Sequence, residues 1–89
     1  MIQIKVGEIQ GYDVLYLPDK DVVYCKNTAL PLSKVIETLR SPLDRVVIPS
    51  KNMVILLSDF QVEFGCLSTT RENIKSIHKQ IKQYQNERN

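Results

Sequence analysis

The chain has 89 residues, 43% of them hydrophobic and 25% charged, with a formal net charge of +2. That length rarely forms two cores and the composition lies near the globular average, so residues 1–89 are expected to make a single compact domain. The longest apolar run, Met53–Leu57, is far too short for the roughly 20 residues that span a bilayer, which excludes a transmembrane helix.

The predicted elements begin with a half-buried strand. Ile2, Ile4 and Val6 fall on one side and Gln3 and Lys5 on the other, a period of two. The same alternation lacks the basic and apolar regions of a signal peptide. Only two cysteines occur, too few for the disulfide framework of a small secreted domain, and together these features predict a cytoplasmic protein.

Gln10-Gly11 offers a turn, and Tyr12–Leu17 follows with Val14 and Tyr16 on one face and Leu15 and Leu17 on the other, the pattern of a central strand. Pro18-Asp19-Lys20-Asp21 is a run of turn formers. Val22–Lys26 then completes a three-stranded meander, closed by Asn27 and Thr28. Pro31 suits a first helical turn, and Leu32, Val35, Ile36 and Leu39 make one face of a short amphipathic helix that Ser41-Pro42 ends.

The second half repeats this grammar. Arg45–Ile48 reads as a short strand, Pro49–Asn52 as a turn, Met53–Leu57 as an all-apolar strand covered on both faces, and Ser58-Asp59 as a tight loop. Phe60, Val62, Phe64 and Cys66 alternate with polar residues and glycine as a single strand. Thr69 and Glu72 have the spacing of a capping box, and the helix after them places Ile74, Ile77, Ile81 and Tyr84 in one narrow dry stripe. Residues 86–89 hold no apolar side chain and are expected to fray.

Side by side, the halves match: Val14–Leu17 with Val54–Leu57, Asp19 with Asp59, Cys25 with Cys66, Ile36 with Ile77. The pattern predicts an α+β fold in which an antiparallel β-meander plus helix is duplicated, βββα–βββα, with an internal repeat over 1–41 and 43–85. A single mixed sheet with both helices on one face is the alternative. Cys25 and Cys66, each in a strand-like context without a CxxC partner, read as small buried hydrophobes in the reduced state.

The residues of chemistry are sparse. The only histidine, His78, falls on the polar side of the last helix with no orienting partner in sight, and the chain has no HExxH, CxxC, calcium loop or glycine-rich phosphate loop. Asp19 and Asp21 read as solvated turn formers. No catalytic residue, metal, cofactor or small-molecule substrate is therefore expected, and the protein reads as non-enzymatic.

Charge is distributed unevenly. Residues 1–69 carry seven Lys and Arg against eight Asp and Glu, whereas residues 70–89 carry five against two. At 100° per residue, Arg71, Lys75, Lys79 and Lys82 fall within about 80° of one another, with His78 beside them and away from the dry stripe. Such a ladder neutralises phosphates well but lacks the arginine and aromatic pattern of base readout. A small binding or regulatory module contacting nucleic acid through these four cations is the expectation. The alternative is a protein-interaction module, a homodimer in which the basic face is only solvated and complements the negative end of the helix dipole. Membrane-surface binding is disfavoured because the dry stripe is needed for the core.

Overall fold

The computed structural model describes residues 2–40, 54–58 and 61–87. β1 (Ile4–Ile9), β2 (Tyr12–Leu17), β3 (Val22–Cys25) and β4 (Thr28–Pro31) form an antiparallel sheet in chain order and lead into α1 (Leu32–Arg40). β5 (Val54–Ser58), β6 (Gln61–Phe64) and β7 (Leu67–Thr69) form a second antiparallel sheet and lead into α2 (Arg71–Glu87). The fold is thus mixed α+β, and no described helix is long and apolar enough to cross a membrane. The expected strand at Arg45–Ile48, the turn at Pro49–Asn52, the helix stop at Ser41-Pro42 and the turn residue Asp59 lie outside the described residues.

The first sheet has four strands where the sequence suggests three. Asn27 and Thr28 do not end the meander: Lys26 and Asn27 both take positive φ, 39° and 50°, and turn the chain back on itself. Two left-handed residues match the twist of the flanking strands, and asparagine tolerates that region at small cost. Pro31 accordingly ends β4, an edge strand that needs no N–H there, rather than opening the helix.

A bulge between Lys5 and Gly7 interrupts the period of β1. Before it Ile4 and Val6 turn toward the core; after it the odd positions do, which buries Ile9 at 1% exposure. Gly7 follows this shift, and a Cβ there would sit 2.7 Å from the Ile77 side chain, so the absence of one lets α2 lie directly on β1. Ile2, expected in the strand's dry face, is instead 49% exposed and precedes the strand.

The second sheet departs from expectation in the same way. The single strand predicted to run to Cys66 is a hairpin, because Gly65 turns at φ +62° in the first central position of a tight turn. Cys66 sits in that turn and is exposed, while Cys25 ends β3 and is fully buried; both thiols are free. Treating the two cysteines as equivalent buried strand ends is therefore corrected. A Cβ at Gly65 would collide with the Thr28 hydroxyl, so the turns β3–β4 and β6–β7 touch at their tips.

One core joins both sheets and both helices. Val14, Tyr16 and Val23 from the first sheet, Val35 from α1, Val62 and Phe64 from β6, and Ile74, Ile77 and Ile81 from α2 are all buried in it. Burying a side chain of this size fully contributes about 1.5–3 kcal/mol. Tyr84 extends the stripe half-buried and meets Tyr16 edge to face, ring centroids 6.2 Å apart. The Tyr16 hydroxyl donates to the Asp21 carboxylate and accepts from Gln85 Nε2 at 3.2 Å, which pins the last turns of α2 to the β2–β3 turn. Burial and that bond to Asp21 hold the Tyr16 hydroxyl above the usual tyrosine range. α2 extends through Asn86 and Glu87.

Candidate nucleic-acid interface

α2 starts one residue later than the capping-box spacing implies. Thr70 is the cap: its Oγ1 accepts from Asn73 N–H at 3.1 Å, and its carbonyl accepts the first helical bond from Ile74 N–H at 3.1 Å. Thr69 Oγ1 instead accepts from the Asn73 side chain at 2.8 Å, and the same amide donates to Glu8 O at 2.7 Å. Asn73 thereby stitches the first turn of α2 to β1. Glu72 does not close a box; it lies near Lys75, Nζ to Oε1 3.8 Å, in an exposed pair.

With one side of α2 fixed to β1 and its isoleucines in the core, the opposite side carries the cations. Lys75, Lys79 and Lys82 are exposed. Neither Lys79 nor Lys82 makes an ion pair with any described residue. Three of the first-half lysines differ: Lys5 pairs with Glu8 at 2.9 Å and Asp13 at 3.3 Å, Lys34 with Glu37 at 3.4 Å, and Lys26 lies over the Tyr12 ring at 4.8 Å, whereas Lys20 is exposed like Lys79 and Lys82. The hydrogen bonds from Glu8 and Asp13 raise the Lys5 ammonium above its ordinary value.

Arg71, the first member of the predicted ladder, is placed differently from the lysines. It is half-buried and its guanidinium donates to Leu39 O at 2.7 Å, satisfying a carbonyl at the end of α1 that has no helical partner. This bond brings the C-terminus of α1, and with it Arg40, against α2. His78, two turns along α2 on nearly the same line as Arg71, is half-buried rather than on the open polar side. Burial first, then the charges of Lys82 and Arg40, pull its imidazole below the usual histidine range.

Arg40 is the residue that sequence reading missed. A single cation at the end of a short helix is sufficiently explained by the helix dipole, and only the docking of α1 on α2 brings its charge to bear on His78. For α2 that same dipole argument lapses, because no basic residue occupies the last turn among the described residues.

On the outer face of α1 an open depression of about 450 Å³ is lined by Ser33, Lys34, Ile36, Glu37 and Arg40. No group of three or more His, Cys, Asp or Glu comes together among the described residues. No protein-family model matches the chain, and no curated protein and no solved structure matches it.

Proposed function

We propose that this protein is a small non-enzymatic module that binds the phosphate backbone of nucleic acid through the outer face of α2. The observation that carries this reading is the pair Lys79 and Lys82: exposed, without an ion pair among the described residues, and opposite a stripe whose isoleucines are at most 1% exposed. Lys75 extends the row one turn toward the helix start, and Arg71 holds the row against α1. Each lysine neutralises one phosphate and releases a counterion, and with no arginine or aromatic side chain on that exposed row the contacts position the chain on the backbone without reading bases. The buried stripe also takes away the apolar face that a membrane surface would need.

Fluorescence anisotropy of labelled duplex DNA over a salt series tests it. Replacing Lys75, Lys79 and Lys82 with glutamine is expected to flatten the slope of log affinity against log salt by about 2–3, at roughly 0.9 per phosphate contact. Salt-independent binding, or none, contradicts the proposal.

A second reading draws on the first sheet. Leu15, Tyr24 and Ala29 form one cross-strand row and Leu17, Val22 and Pro31 another, on the face pointing away from the core cluster. This apolar face favours a homodimer or another protein partner. Mass that rises with concentration, without nucleic-acid affinity, would select it.

We also infer the internal duplication, with a different matching of residues from the one the cysteines suggest. Lys26 and Gly65 open the last turns of the two sheets and Leu32 and Arg71 open the two helices, the same 39-position spacing in each case. Val35 and Ile74, buried in α1 and α2, share it. Superposing β3–β4–α1 on β6–β7–α2 in a crystal structure tests this, and helices leaving their hairpins in different directions contradict it.

A further inference from the structure

We propose that the anion surface is the seam between the two helices rather than α2 alone, with Arg40 and His78 as members, and that binding a phosphate backbone there takes up a proton on His78. The inference rests on the reading of α2 as a phosphate-binding face and adds to it two residues and a dependence on acidity.

The geometry begins with Arg71. Its bond to Leu39 O fixes the end of α1 against α2, and the next residue, Arg40, lies near enough for its charge to act on His78. On α2 itself, His78 lies four residues before Lys82 and three after Lys75, the spacings at which side chains on one helix face meet. The charged groups acting on His78 are Lys82 from its own helix and Arg40 from α1. Both are cations, and no carboxylate among the described residues acts on the imidazole.

A histidine half-buried among cations is neutral near pH 7 because nothing opposite in sign favours its proton. A phosphate brought onto this seam reverses that balance. It screens Arg40 and Lys82 and supplies an acceptor, so the imidazolium becomes the stable form and one proton is gained from solvent. By linkage, affinity must then rise as pH falls, with a limit of about tenfold per pH unit for a single group.

His78 is the only histidine in the chain, so its ring protons give one unobscured NMR titration curve. The curve would be recorded with and without a saturating short DNA duplex, beside affinities measured over the same pH range for the native chain, His78→Gln and Arg40→Gln. The expected result is a rise in the His78 pKa on adding duplex, affinity that increases toward acid in the native chain but not in His78→Gln, and a salt slope lower by about 0.9 in Arg40→Gln. Binding that leaves the His78 curve unmoved overturns the seam while leaving the lysine face intact. Absence of any duplex binding by the native chain overturns both. Circular dichroism of the two variants confirms that each retains the fold before affinities are compared.

Discussion

The two helices solve different problems with similar local grammar. α1 has nine residues, buries Leu32, Val35 and Thr38, and balances its exposed side with a Lys34–Glu37 pair. α2 has 17 residues, buries Ile74, Ile77 and Ile81, and leaves Lys79 and Lys82 without a balancing acid among the described residues. At 1.5 Å per residue α2 is about 25 Å long, nearly twice α1. The shorter helix closes the core and ends on a single cation, Arg40. The longer one both closes it and presents a charged line to solvent.

The comparison would be broken most severely at Ile77. Ile77→Ala removes the side chain on which Gly7 rests and is expected to cost about 2–5 kcal/mol, whereas Ile36→Ala on half-buried α1 should cost less. Denaturant midpoints at constant m-value measure both. Equal losses would mean that the helices share the core equally.

Gly65→Ala comes next, because it adds a Cβ against Thr28 and places it in left-handed backbone. The expected loss combines about 1–2 kcal/mol of conformational strain with about 1–3 of overpacking. Gly11→Ala, at φ +83° with nothing within 4 Å, should lose only the strain. Thermal unfolding of the pair separates the two contributions.

Within α2, Arg71→Gln should cost about 1.5–3 kcal/mol through its bond to Leu39 O. Lys79→Gln should stay within about 0.5 kcal/mol, as exposed substitutions do. Similar stabilities for the two variants would contradict the division of the basic residues into one that builds the helix pair and others that face outward.

The smallest effect is one of acidity. The folded-state pKa of His78 lies below its unfolded value of about 6.5, so the folded chain binds fewer protons in the window between them. Its contribution to stability is complete above about pH 6.5 and declines as pH falls through the depressed value. His78→Gln should remove that part of the decline, as measured by urea unfolding at successive pH values.

Much of the fold is legible in the sequence. Apolar residues on both faces mark β2 as central, Gln10-Gly11 and Pro18–Asp21 are turns, and the isoleucine spacing locates the core face of α2. Failures cluster where local signals are weak. Lys26-Asn27 turns a hairpin without glycine, and β7 is only three residues long, so the last strand of each sheet escapes a pattern search. The bulge in β1 reverses the alternation that period two assumes. For the site, the lysine row follows from helical geometry alone, but the roles of Arg71, Arg40 and His78 depend on one long-range bond between helices that no spacing rule contains.

The central claim of the proposed function is that the lysine row of α2, which the seam with α1 extends, binds phosphate where charge elsewhere on the chain does not. Two triple variants with the same change in net charge test it most directly: Lys75→Gln/Lys79→Gln/Lys82→Gln on α2, and Lys5→Gln/Lys26→Gln/Lys34→Gln, three first-half lysines that each already have a partner. Their salt-dependent affinities for duplex DNA would be compared with the native chain. The account predicts a slope lower by about 2–3 for the α2 variant and almost unchanged for the other. Equal loss in both variants, or loss in neither, would contradict it.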